Sequence, residues 1–151
     1  MFLDLTLSTN SNLQILLIFK LSSFDSLVSL SKDSQGLQLI AACCAGSKVK
    51  INEIKYLPKN KIFLLSLERF SKETGKNSFR INSICKFEFV DSVKSKNINQ
   101  KDSNLVLELF TIDLFKNKKN FEINLIFSNN AYITIATEIV EVTLEDQNKD
   151  L

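Results

Sequence analysis

Histidine and tryptophan are absent from this chain of 151 residues, which has only one proline and three glycines. Without histidine, the sequence lacks the side chain that most often acts as general base or metal ligand. With so few glycines, it contains no GxGxxG, GxxxxGKS or GxSxG motif that would cradle a phosphate or present a nucleophile. We therefore assign no catalytic residue, no cofactor and no metal, and we expect a protein that is not an enzyme.

Cysteine is scarce as well. Cys43, Cys44 and Cys85 form no CxxC pair, and two adjacent cysteines do not readily close an unstrained disulfide bond. Their odd number and their apolar surroundings indicate neutral, buried thiols in a reducing compartment. We expect a cytoplasmic protein.

Long apolar runs are also missing. The strongest one near the amino end, residues 13–21, is nine residues long and contains Gln14 and Lys20. A membrane-spanning helix needs about 20 apolar residues, and a secretory signal begins with basic residues that are absent before Lys20. We interpret residues 1–24 as an added strand or short helix preceding one globular domain, residues 25–151, and expect no membrane partner.

The charge is nearly balanced but unevenly placed. The net charge is +2, yet residues 48–101 carry a net +8 and residues 102–151 a net −5. Such a basic stretch favours either an anionic partner or attraction to the acidic tail within the fold. The candidate anion-binding or partner-binding residues, expected on one rim of the sheet, are Arg69, Arg80, Lys94, Lys96 and Lys101.

The hydrophobic pattern predicts mainly strands. Residues 37–45 are mostly unbranched and precede Gly46, which is typical of a helix and its end. After Gly46 the apolar period becomes two, with predicted hairpins around Pro58 and around Asn129-Asn130. The acidic spacing of residues 138–147 favours a short closing helix. The predicted class is α+β and β-rich: a curved antiparallel sheet or pleckstrin-homology-like barrel of six or seven strands, with a helix before it and a short helix after it.

Four segments together resemble a known family. They are LQLIAACCAGSKVKINEIKYLPKNKIFLLSLERF (residues 37–70), FEFVDSVKSKNI (87–98), LVLELFTI (105–112) and IVEVTLED (139–146). This order is similar to the alphaproteobacterial domain-of-unknown-function family 2948, in which an apolar–YLP–basic–apolar hairpin ends in Arg-Phe, here Arg69-Phe70. The resemblance covers roughly residues 27–147 and implies a small, uncharacterised, cytoplasmic bacterial protein. It carries over no catalytic residue.

Three classes of function follow from these observations. A non-enzymatic accessory or protein-interaction module is favoured, because an antiparallel sheet leaves edges that a partner strand or a second copy can pair with. An anion-binding or nucleic-acid-binding module using the basic rim is the alternative. Within this alternative, nucleic acid is a less favoured ligand than another anion, because most phenylalanines lie on predicted core faces and do not alternate with lysines on the surface. An enzyme of unknown class is third.

Overall fold

A computed structural model of the chain describes residues 34–70 and 80–147 in full, and three earlier strands by their backbone pairing. The described residues form one α-helix, α1 (Ser34–Cys44), and twelve strands. The strands are β1 (Leu3–Leu5), β2 (Leu16–Leu21), β3 (Asp25–Ser31), β4 (Ser47–Lys50), β5 (Ile54–Leu57), β6 (Ile62–Phe70), β7 (Arg80–Phe87), β8 (Val90–Lys96), β9 (Val106–Asn117), β10 (Asn120–Phe127), β11 (Tyr132–Thr137) and β12 (Val142–Asp146).

All the recorded pairings between these strands are antiparallel. The order of hydrogen-bonded neighbours is β1-β2-β3-β12-β7-β6-β4-β9-β10-β11-β8, with β5 beside β6. The predicted β-rich antiparallel sheet is therefore confirmed. Because the order ends at β1 on one side and β8 on the other, the sheet is open, and a pleckstrin-homology-like barrel is not confirmed.

The predicted number of six or seven strands is wrong. A 3-10 turn, Ile51–Glu53, divides the first predicted strand into β4 and β5. The backbone of β1, β2 and β3 then continues the sheet beyond β12. The alternation of apolar and polar residues indicates which face of a strand is buried. It does not show where a turn of three residues divides one strand into two.

The predicted closing helix is also wrong. Residues 142–146 form β12, which lies between β3 and β7. Val142, Leu144 and Asp146 are buried while Thr143 and Glu145 between them are more exposed, which is the alternation of a strand with one face on the core. The β-branched residues of this segment therefore outweigh the acidic spacing that favoured a helix.

The predicted helix is confirmed as α1, although it lies between β3 and β4 and does not precede the whole sheet. Its buried residues recur at helical spacing and form one face, which contacts β3, β6 and β9; they are Gly36, Leu37, Ile40, Ala41 and Cys44. Gly46 follows the helix at φ +83°, a left-handed conformation that glycine adopts without strain, and its N–H donates to the Leu109 carbonyl of β9. This glycine turns the chain from the helix into β4.

Both predicted hairpins are confirmed. β5 and β6 pair around the turn at Pro58, and β10 and β11 pair around Asn129-Asn130, both of which have positive φ. Asparagine tolerates this left-handed backbone better than most residues. In contrast to these asparagines, Phe89 between β7 and β8 is a bulky residue at φ +57°, and it is 41% exposed.

The core is formed by the buried face of α1 and the inner faces of the strands, and one part of it lies on β6, β7 and β12. Phe63 of β6 and Phe87 of β7 are opposite each other and meet edge to face, with ring centroids 5.8 Å apart. The next aligned row is Leu65, Cys85 and Leu144, all fully buried. Further along the same face the side chains become polar.

This polar end of the core is a buried ion pair. Arg69 of β6 donates from Nε and Nη2 to the two carboxylate oxygens of Asp146, at 2.9 and 2.7 Å. The hydroxyl of Ser83 on β7 accepts from Arg69 Nε at 3.1 Å and donates to Asp146. The Arg69 and Asp146 side chains are only 1% and 3% exposed. The pair therefore joins three adjacent strands without access to solvent.

We predict that Asp146→Asn lowers the free energy of unfolding by about 3–5 kcal/mol, because it leaves the Arg69 guanidinium buried beside a neutral amide. Glu145→Gln, a matched change on the exposed face of the same strand, should cost less than about 0.5 kcal/mol. Urea denaturation followed by circular dichroism measures both. Equal effects of the two substitutions would show that the buried pair contributes no more than a surface carboxylate.

Candidate functional site

Two concave surfaces stand out in the part of the chain that the structure describes. We call the first the edge cleft, because β5 and β8, which lie at edges of the sheet among the described strands, both line it. It has a volume of about 420 Å³, within the range of sites that bind small ligands or side chains. On one side the cleft is lined by Ile51, Ile54, Tyr56 and Phe63. On the other side it is lined by Val93, Ser95, Ile98, Gln100 and Ile133.

The two strands beside the edge cleft each have one recorded partner. Among the described ladders, β5 pairs with β6 and β8 pairs with β11. No ladder joins β5 to β8, although side chains from both line the same cleft. Apart from the Val90 N–H, which donates to the Lys61 carbonyl, no ladder among the described residues occupies the other edge of either strand.

One end of the edge cleft is held together by three contacts. The Val90 N–H donates to the Lys61 carbonyl at 2.9 Å, and the Tyr56 hydroxyl donates to the Asp91 carbonyl at 3.2 Å. Lys61 Nζ also lies 3.2 Å from the Asp91 carboxylate, which raises the pKa of Lys61. These contacts tie the start of β8 to the β5–β6 turn.

Basic side chains border the edge cleft on its solvent side. Lys55 stands between Ile54 and Tyr56, and Lys94 stands between Val93 and Ser95, so by strand alternation they lie on the opposite face from the lining residues. Lys96 follows on the same face of β8 as Lys94. All three lysines are exposed.

The second surface, which we call the basic groove, crosses the outer face of β4, β6 and β7 and has a volume of about 850 Å³. Its charged lining residues are Lys48, Lys50, Lys55 and Arg80 on one hand, and Glu53 and Glu68 on the other. Arg80 donates to Glu68 at 2.8 Å, and its guanidinium lies 5.0 Å from the centre of the Phe70 ring. This hydrogen bond, aided by the charges of Arg80, Lys48 and Lys50, lowers the pKa of Glu68.

The five sequence-predicted basic residues are not gathered on one rim. Arg69 is fully buried in its pair with Asp146, so it is a structural residue and is not on the surface. Arg80 lies in the basic groove, Lys94 and Lys96 lie on β8 beside the edge cleft, and Lys101 is exposed on the loop between β8 and β9. Arg69 was predicted to be on the surface because inward positions of a strand are usually apolar. The carboxylate that pairs with it inside the protein is 77 residues away in the sequence, so no local pattern shows the pair.

The groove lysines were missed by sequence reasoning. Lys48 and Lys50 flank the buried Val49 in β4, a pattern that marks them as outward-facing neighbours. The alternation alone could have placed them on one surface. What it could not show is that β6 and β7 would bring Arg80 to the same surface.

Two of the three cysteines belong to the core, and Cys43 packs against it. Cys44 and Cys85 are fully buried, and Cys43 is partly exposed. Burial raises the pKa of both Cys44 and Cys85 above the ordinary thiol value. No cluster of three or more metal-ligating side chains is found within the described residues. In the same part of the chain, no helix is long and apolar enough to cross a membrane.

A family model for proteins of unknown function, DUF2948, matches residues 27–151. The chain belongs to this family. No curated protein and no solved structure matches it. The DUF2948 match covers α1, all of β4–β12 and most of β3, so both the edge cleft and the basic groove lie within the family domain.

We predict that one thiol, Cys43, reacts quickly with a disulfide reagent in the native protein at mildly alkaline pH, while Cys44 and Cys85 react only on unfolding. Burial raises the pKa of these two thiols and keeps the reagent away from them, whereas the side chain of Cys43 is partly exposed. A spectrophotometric thiol assay without guanidinium counts the thiols that react quickly in the native protein, and the same assay with guanidinium counts all three. In Cys43→Ser the fast class should vanish, and fast reaction of all three native thiols would contradict the burial.

Proposed function

We propose that this DUF2948 protein is a non-enzymatic interaction module that binds an extended polypeptide segment in the edge cleft. The observation that supports this most directly is the combination of two strand edges that pair with no described strand and a mainly apolar-lined cleft between them. A segment added alongside β8 would satisfy backbone groups that otherwise bond to water, and its alternate side chains would enter the cleft. A cytoplasmic location in an alphaproteobacterium is part of the proposal, supported by the buried thiols and by the family resemblance.

The cleft suits a strand better than a compact ligand. Its floor is made of Phe63 and Ile133, both almost fully buried, while its walls are half-exposed apolar side chains such as Val93 and Ile54. Ser95 and Gln100 are the polar lining residues. Apolar side chains spaced along an extended peptide would cover this surface, and the peptide backbone would supply the hydrogen bonds.

We predict that Ser95→Phe weakens the binding of extended peptides by about tenfold or more, because the added ring fills the cleft above Phe63 and Ile133 and displaces Gln100, which donates to the Ser95 hydroxyl. Ser92→Phe is the matched control: the same change on the opposite face of β8, where the residue is also exposed. Its affinity should stay within about twofold of the original chain. The peptides are those selected from a displayed random library, and fluorescence anisotropy measures their affinity.

The strand-addition proposal is overturned if no peptide is selected, or if selected peptides bind the two serine variants alike. Hydrogen exchange provides a second readout, since a bound strand should slow the exchange of β8 amides. Light scattering on the free protein shows whether a second copy of the chain is the occupant. In that case a dimer should dissociate in Ser95→Phe and persist in Ser92→Phe.

A second candidate function is supported by the basic groove. Four cations against two carboxylates leave this surface with a net positive charge, and Glu68 is already engaged by Arg80. Lys48, Lys50 and Lys55 are all exposed there. Such a surface favours a polyanion, such as the phosphate backbone of a single strand of RNA.

If the groove binds RNA, single-stranded RNA should bind at about 50 mM salt and dissociate as salt rises, because binding releases counterions. Lys48→Glu with Lys50→Glu should abolish this binding. Lys116→Glu with Lys118→Glu makes the same change in charge at the β9–β10 turn, outside the groove, and should preserve it. A filter-binding assay decides. Binding that both double variants weaken equally would show only a response to net charge.

A further inference from the structure

We infer that the segment which the edge cleft accepts has apolar side chains alternating with acidic ones. This inference rests on the proposed function, since it assumes that the occupant is an extended strand. The chemistry of that strand follows from the side chains on the two faces of β5 and β8.

Most residues on the inward face of the site are apolar, and Ser95 and Gln100 are its polar members. Ile54 and Tyr56 of β5 and Val93 of β8 line the cleft, above the buried Phe63 and Ile133. A strand added here has side chains that point alternately to the two faces of the sheet. Every second residue of the occupant would therefore enter the cleft, and a charged group in that position would lose its hydration without a partner.

The outward face of the same site is basic. Lys94 and Lys96 of β8 are exposed on the solvent face, and Lys55 has the same orientation on β5. Lysines therefore stand on both strands that flank the cleft. The residues of the occupant that do not enter the cleft would lie beside these lysines, where opposite charges on neighbouring strands stabilise pairing and like charges oppose it.

Nearby carboxylates do not cancel this charge. Asp91, the acidic residue of β8, is bonded to Lys61 at the closed end of the cleft. Glu53 precedes β5 and lines the basic groove, and Asp102 is on the loop after β8, where its side chain accepts from the Asn104 N–H. The solvent face of β8 between residues 92 and 96 carries two lysines and one serine. An acidic outer row on the occupant is the complement of this face.

The test uses synthetic nine-residue peptides with a fluorescent label. Three have valine at alternate positions, with glutamate, glutamine or lysine between. A fourth has the composition of the valine–glutamate peptide in two blocks, which removes the alternation. We expect the valine–glutamate peptide to bind about tenfold more tightly than the valine–lysine peptide, with the glutamine peptide between them and the block peptide weakest. Higher salt should narrow the difference between the charged peptides.

Charge reversal on β8 supplies the matched comparison. In the variant Lys94→Glu with Lys96→Glu, the order of the valine–glutamate and valine–lysine peptides should invert. The variant Lys116→Glu with Lys118→Glu has the same net charge and should keep the original order. Peptides methylated on alternate backbone nitrogens test the ladder itself: methylation in one register should abolish binding, and in the other register it should be tolerated.

The outcomes distinguish a failure of the acidic specificity from a failure of strand addition itself. If all three alternating peptides bind equally and reversal of the β8 lysines has no effect, the acidic specificity is wrong while strand addition stands. If the order inverts equally in both double variants, net charge explains it and the specificity is again wrong. If no alternating peptide binds, or if both methylated registers bind alike, strand addition itself is overturned and the inference falls with it.

Discussion

The buried ion pair between Arg69 and Asp146 is the constraint on which the arrangement of the sheet depends. An arginine on the inner face of β6 can be tolerated only if a carboxylate meets it there, because an unpaired buried charge is strongly destabilising. That carboxylate comes from the last strand, and it reaches the guanidinium only when β12 lies beside β7 in the observed register. Ser83 completes the hydrogen bonding from the strand between them.

This requirement has consequences at both ends of the sheet. With β12 held beside β7, its other edge pairs with β3 and so joins the amino-terminal strands to the sheet. At the opposite end, β8 pairs with β11 alone among the described strands, and its start is held by the contacts of Val90 and Asp91 with the β5–β6 turn. The edge cleft lies where the sheet does not close, and its position follows from the order of the strands.

The electrostatic pattern is explained in part by the same pair. The sequence has a basic middle and an acidic tail, and Arg69 and Asp146 join these two regions inside the protein. Other cations of the basic middle lie on two surfaces, with Lys48 and Lys50 at the basic groove and Lys94 and Lys96 beside the edge cleft. The basic residues between 48 and 101 therefore occupy at least three different environments: a buried ion pair, a polar groove and an exposed strand edge.

Much of the local structure could be predicted from residue patterns. Alternation identified β7 and the two hairpins, and Gly46 marked the end of the helix, because these signals depend on neighbours a few residues apart. The candidate site was predicted less well. Arg69 was placed on the surface and Lys48 was overlooked, since burial of a charge depends on a partner distant in sequence. Phe110 is another example: a register shift between β9 and β10 leaves it opposite no residue, and its side chain is 50% exposed.

By itself, the sequence determined the composition of the protein, its β-rich antiparallel class, its helix and its tight turns, because steric preferences and apolar periodicity act over short distances along the chain. The tertiary structure alone decided that the acidic end is a strand, that Arg69 is internal, and that β5 and β8 line a common cleft without pairing. These features arise from contacts between segments separated by tens of residues. No local pattern encodes which of many charges or strand edges will meet across such distances.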